Sequence, residues 1–397
     1  MVKGIKKKSV ISKLIILMWI GFLVISVNQA FGEPKVTSAN AVGGIFDITG
    51  PTNSIGAPFA EGAKKFFAYV NKHGGINGLE VNLISIDYQY DPQKSMSAFS
   101  RLTSKENILG LLGWGSVDMP LVKPKAAEIN LPVISAAARG QAVIGEFNPV
   151  VFSIADTYAE EWIKELFWIN RDSLKRGIGI PKVAIFYSEP GREGAKPVLK
   201  KCKELGFQVP VYEFFSEKSM SASSHIARAK KHQCDYVMAL CTLSPLTVLL
   251  KDAYRANYKP QFFGDFFCAS QLLFTLAGKT PGKVIVTSPV ALMDQTDVPG
   301  IKTIIDFTKS ADHLNQFVAG WVGGMVLTRG IEKANIKQGM TISNARKSIV
   351  NALNSFKNES FSGLTLPMSF SNTDHIGTKD FRMYVANWDK NAFERID

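Results

Sequence analysis

Apolar residues in this chain gather in short continuous runs, and the stretches between those runs carry a helical repeat. The runs at 41–46, 81–86, 108–112, 131–135, 182–187, 209–215, 235–240, 261–264 and 283–287 predict strands. The stretches 58–70, 93–104, 119–129, 157–169, 193–205, 221–231, 245–256 and 269–276 predict helices. In the first of these, Phe59, Ala63, Phe66 and Val70 share one face; Pro58 suits the opening turn, and Gly74 and Gly75 stop it. Strand and helix in strict alternation imply parallel sheets covered by helices on both faces. Nine strands before residue 290 are too many for one sheet of the mononucleotide-binding kind. The pattern therefore predicts two doubly wound α/β domains. Three helical stretches then follow one another, at 299–309, 314–334 and 342–356. They need a sheet to cover, and the first domain is their natural host. The segments 381–386 and 392–396 read as β structure returning to the second domain. No repeat of solenoid period is present.

With 397 residues, 46% hydrophobic and 20% charged, the chain can fill two cores, which excludes global disorder. A net charge of +12 invites a nucleic-acid reading, so the position of the charge matters. Residues 1–32 hold five lysines and no acid, followed within that span by an apolar run from Leu14 to Val27 and then Ala30, Phe31 and Gly32. This is the order of a secretory signal, with small residues at the −3 and −1 positions for cleavage near Gly32. Fourteen residues rise about 21 Å as a helix, against the ~30 Å of a bilayer core. An uncleaved anchor is the alternative. Cleavage lowers the charge to +7 and directs the protein to the periplasm. The remaining cations are scattered, with small clusters such as Lys200, Lys201 and Lys203 that read as a solvated helix face rather than a nucleic-acid surface. Cys202, Cys234, Cys241 and Cys268 all lie beyond position 200; pairing is redox-permitted after export, and free buried thiols are an equal alternative.

The chain carries few traces of catalytic chemistry. Gly278-Lys279-Thr280 resembles the end of a phosphate loop, but Leu273 stands where its first glycine belongs. The glycines around Ser116 do not make a nucleophile elbow, because Trp114 and Asp118 occupy the flanking positions. His232 and Cys234 lack a second ligand pair at zinc spacing. No acid/base pair or nucleophile emerges. The residues point to no enzyme, no metal and no cofactor.

The stretch from Val42 to Pro51, with Gly56, Gly62 and Ala63 beyond it, resembles the opening of type I periplasmic binding proteins of the leucine/isoleucine/valine-binding family. Asn71-Lys-His-Gly-Gly-Ile-Asn-Gly78 matches that family's asparagine–glycine turn, and Asp87 with Asp91-Pro92 its next loop. Leu131-Pro-Val-Ile-Ser135, Phe152 with Asp156, Gln233–Val237, Pro260–Gly264, Phe317–Trp321 and Phe361–Leu364 continue the likeness over nearly the whole mature chain. The resemblance implies two doubly wound parallel-sheet lobes joined by three crossovers near 152–156, 286–289 and 364–370. One lobe would comprise 33–155 and 289–365, the other 156–288 and 366–397. It also implies a monomer that takes a small-molecule ligand between the lobes and delivers it to a membrane ABC permease, or a ligand-sensing receptor of the same fold.

Ligands of open α/β sheets sit beyond the carboxyl ends of the strands. That rule selects 47–56, 114–118, 136–139, 188–192, 241–244 and 265–268. In the amino-acid binders of this family, a serine after the third strand, with a hydroxyl and backbone N–H groups after the fourth, holds the ligand carboxylate. Ser116 keeps the first position, Ala137 lies in the second loop, and Arg139 replaces the usual threonine there. The family's acid for the ligand ammonium aligns with Phe266, with Asp265 beside it. Arg192 stands where a tyrosine is frequent, and Thr242 belongs to a further loop. Two arginines, with Trp114, Tyr158 and Phe266, suggest a carboxylate with an apolar or aromatic body; with Asp265 as the acid, a branched-chain amino acid is the alternative.

Overall fold

Runs that are buried on both faces become the inner strands of two parallel sheets. The computed structural model describes residues 33–278 and 282–397; the signal-like segment 1–32 lies outside the described residues. Strands β1 (Ala39–Phe46), β2 (Glu80–Asp87), β3 (Leu111–Gly113), β4 (Val133–Ser135) and β5 (Val151–Ala155) join β11 (Ile376–Thr378) in a six-stranded sheet, ordered β11-β5-β4-β3-β1-β2 and parallel throughout. Strands β6 (Lys182–Tyr187), β7 (Gln208–Phe214), β8 (Tyr236–Leu240), β9 (Gln261–Gly264) and β10 (Lys283–Ser288) form the parallel part of a seven-stranded sheet. Its order is β13-β12-β10-β9-β8-β6-β7, with β12 (Arg382–Asn387) and β13 (Ala392–Arg395) antiparallel at one edge. The two-sheet α/β architecture is the one expected.

Period-two alternation divides the second lobe's core between the faces of its sheet. Val237 and Ala239 of β8 meet Ile226, Leu246 and Leu249 on one side, whereas Tyr236 and Met238 meet Leu166, Ile169 and Val198 on the other. The three late helices, Pro299–Thr308, Asn315–Lys333 and Ile342–Asn354, join the first lobe as anticipated. Their Ile304, Phe317, Val322 and Ile349 share a core with Val42, Phe46 and Leu112. Among the described residues, no helix is long and apolar enough to cross a membrane.

Several boundaries differ from expectation. The first helix runs Asn53–Lys72 and carries Pro58 inside it rather than at its opening turn. Ile108–Gly110 stay out of β3, although Ile108 and Leu109 are fully buried. Burial without ladder pairing is invisible to a hydropathy pattern. The larger correction concerns the third crossover and the boundary placed at 365/366. Ile376–Thr378 pairs with β5 in the first sheet, so the chain leaves that sheet only between Thr378 and Arg382. A three-residue edge strand after a polar turn has no apolar run to announce it. The chain crosses between the sheets after β5 and after β10, so most of 152–156 and 286–289, expected as the first two crossovers, are the last residues of those strands.

Candidate functional site

The carboxyl ends of the strands in both sheets lead into the loops at which the lobes touch. On the first lobe, Asp47 follows β1 and is fully buried, its carboxylate accepting from the Gly50 and Thr52 amides (2.7 Å each) and the Thr52 hydroxyl (2.6 Å). Trp114 lies beneath this loop, its Nε1 donating to Thr52 Oγ1 at 3.4 Å and its ring 5.1 Å from that of Phe59. It is buried support rather than an open ligand wall. Gly115 permits a crowded junction: a Cβ there would meet the Tyr88 hydroxyl, Asp118 and the Tyr90 ring. Tyr88 donates to Asp118 Oδ1 at 2.6 Å, and burial pushes the Asp118 carboxyl up to about 7. Ser116 stands exposed above this floor.

The loop after β4 meets the second lobe. Ala137 O accepts from the Tyr158 hydroxyl at 2.7 Å. Arg139 is 1% exposed; it donates to Asp156 O at 2.7 Å and forms an ion pair with Glu161. Its guanidinium also lies 4.9 Å from the Tyr158 ring centre and 5.4 Å from that of Phe381. Arg139 therefore binds the first and third crossovers together. The expected role of a free guanidinium for a ligand carboxylate does not match this placement, because a buried internal carboxylate already holds it.

On the second lobe, Asp265 directly follows β9 and is buried, accepting from the Phe267 amide at 2.9 Å. Phe266 donates its amide to Glu161 at 3.2 Å and inserts its ring into the first lobe's core. Glu165, one helical turn beyond Glu161, accepts from Thr287 at 3.2 Å and leaves Oε2 without a partner. Glu161 pairs with the Arg139 guanidinium, and Asp265 and Glu165 both lie within electrostatic reach of Glu161. Burial, reinforced by the charge of Glu161, pushes both Asp265 and Glu165 well above the carboxylate range. Thr242 is bound to Glu217, which accepts from its amide at 3.1 Å and from the hydroxyls of Thr242 and Ser188. Arg192 is exposed at the rim, 5.1 Å over the Phe214 ring.

The fold thus unites Ala137, Arg139, Tyr158, Asp265 and Phe266 at the lobe junction, and leaves Ser116 and Arg192 on exposed edges. Sequence reasoning missed Glu161, Glu165 and Glu217. A signal existed for two of them: Glu161 and Glu165 lie one turn apart beside Trp162, Leu166 and Ile169, the apolar face of helix Tyr158–Lys175. Acids on such a face ask for a buried partner. Among the described residues, no group of three or more His, Cys, Asp or Glu could hold a metal ion.

Two α/β lobes that meet through the carboxyl ends of their sheets define a bilobal binding protein. The chain belongs to the periplasmic binding protein family, whose model matches residues 41–392. It is 24% identical over 250 residues to Leu/Ile/Val-binding protein homolog 7 of Brucella melitensis, covering 60% of this chain and 61% of that relative. It is 23% identical over 288 residues to the Leu/Ile/Val-binding protein of Citrobacter freundii, covering 71% and 74%. Among solved structures, a branched chain amino acid ABC transporter protein from Thermus thermophilus with bound valine superposes with a TM-score of 0.79 at 19% identity, over 92% of this chain and 96% of that one. A fatty acid ABC transporter substrate-binding protein from Thermomonospora curvata gives 0.76 at 20% identity, over 92% and 93%.

Proposed function

We propose that this chain is the exported solute-binding component of an ABC transporter. It is cleaved near Gly32, acts as a monomer, holds a small organic molecule between its lobes and releases it to a membrane permease without altering it. The observation that carries this reading is the junction itself, where loops after β4 and β9 and the first crossover converge on Arg139 and Glu161. A ligand favours the closed state over the open one only when it touches both lobes.

The ligand we favour is a carboxylate with an apolar or aromatic body. Ser116 and the backbone N–H groups after β4 receive its acid, while the half-buried rings of Tyr90, Tyr158 and Phe267 flank its body. Arg192 supplies positive charge at the rim. A second reading, an amino acid of the branched-chain kind, is favoured by the place of Asp265 directly behind β9. A ligand ammonium there would favour the ionised form of Asp265 and pair with its carboxylate.

Thermal-shift measurements on residues 33–397 decide between them. A ligand at one hundred times its Kd stabilises by about 2.7 kcal/mol. Isocaproate, hexanoate or phenylacetate should raise the melting temperature more than leucine, isoleucine or valine, and Ser116→Ala should weaken that ligand about tenfold, the loss of one charge-assisted hydrogen bond. A larger shift with the amino acids selects the second reading. No shift with any of them rejects both.

A further inference from the structure

One contact between the lobes belongs to neither the crossovers nor a buried core. Glu193 opens the second lobe's helix Arg192–Glu204, and its Oε2 accepts the backbone N–H of Gln141, on the first lobe, at 2.9 Å. Both residues are exposed, so water can replace the bond whenever the lobes part. Gly140 makes the approach possible: a Cβ on that residue would stand 2.8 Å from Glu193 Oε2 and 3.8 Å from Ser116 Oγ. The Glu193 carboxylate and the Ser116 hydroxyl therefore border the same small space. The contact also lies away from the second crossover, because β9 and β8 separate β10 from β6, the strand that leads to Glu193.

We infer that Glu193 is an internal latch: a carboxylate belonging to the protein that closes the lobes without ligand by occupying the corner between Ser116 and the Gln141 amide. The other polar contacts named at this junction, Arg139 with Glu161 and Tyr158 with Ala137, lie beside the first crossover. The Glu193 bond spans the two lobes away from the crossovers, so parting the lobes breaks it and its free energy weights the closed arrangement. A charge-assisted hydrogen bond of this kind shifts an open–closed equilibrium about tenfold. The position of the corner rests on the proposed function, since it is where a ligand carboxylate would enter, and entry there displaces Glu193. The latch itself operates in the empty protein.

The test is small-angle scattering and amide hydrogen exchange on the ligand-free chain. Glu193→Ala is expected to raise the radius of gyration and to speed exchange at Gln141 about tenfold, with only a small fall in melting temperature because Glu193 lies outside every core. Gly140→Ala, a substitution on the opposite lobe that crowds the same oxygen, should reproduce the opening. Glu193→Gln, which retains an acceptor oxygen, should fall between Glu193→Ala and the parent. Identical scattering and identical Gln141 exchange in all four proteins would overturn the latch and leave the proposed function standing. A negative ligand panel would do the reverse.

Discussion

Asp118 shows how much one buried carboxyl can impose on this protein. It is 1% exposed and its Oδ2 has no partner, so desolvation outweighs the Tyr88 hydrogen bond and holds the carboxyl at about 7 against an ordinary 3.8. Between those values the folded chain binds more protons at this site than the unfolded chain, and stability falls as pH rises from about 4 to about 7, levelling off above. Asp118→Asn keeps an acceptor for Tyr88 and removes the titration. Urea unfolding at several pH values should show the variant gaining on the parent across that window; parallel curves would refute the assignment. Arg139 and Glu161 pose the opposite case, a buried pair whose members are costly when separated. Glu161→Ala should destabilise by about 3 kcal/mol or more, whereas replacing both by Met and Leu should cost far less, as equilibrium unfolding would register. That an arginine stood after β4 was readable in advance. Its direction was not, because Glu161 lies twenty-two residues away along the chain and reaches it only after the crossover has folded.

Among elements, the firmest junction is the crossing of helix Asn53–Lys72 with helix Asn315–Lys333. Gly62 lies against Phe317 O and Gly320 against Phe59 O, and a Cβ at either position would overlap the facing carbonyl. Two backbones approach there as only glycine permits. Gly320→Ala should therefore cost about 2 kcal/mol or more, since neither backbone can yield. Gly179→Ala, with open space around it, should stay within about 0.5 kcal/mol. Thermal unfolding of the two variants gives the comparison. Helix and strand identity was largely legible, since inner strands are apolar throughout and helices repeat every three to four residues. The strands that the pattern does not announce are β5 and β11, and the short helix Gln141–Ile144 is unannounced as well. The apolar residues of β5 fall in the stretch expected as the first crossover, and β11 exists because β5 offers it a free edge: the Ser153 amide donates to His375 O and the Asp156 amide to Thr378 O.

At the scale of the whole molecule, each lobe has its own core, and the crossovers are bound to one another at their polar ends. Arg382, at the third crossover, donates to Leu364 O at 2.8 Å and Gly363 O at 2.7 Å. Asn315, fully buried, accepts from the Met293 amide at 2.7 Å and donates to Ala269 O at 2.6 Å, joining the first lobe's long helix to the loop behind β9. Such bonds tie the two lobes together beside the crossovers, whereas the Glu193 contact joins them farther away. The alternation of apolar runs and helical repeats determined, from sequence alone, that there would be two α/β lobes built on parallel strands and which loops would follow the carboxyl ends of those strands. Both follow from local periodicity. Tertiary structure alone decided where the last crossover falls, that Arg139 is held by Glu161, and that Glu193 reaches Gln141. Those outcomes depend on pairings between residues distant in sequence, and hydropathy records how deeply a residue is buried without recording its partner.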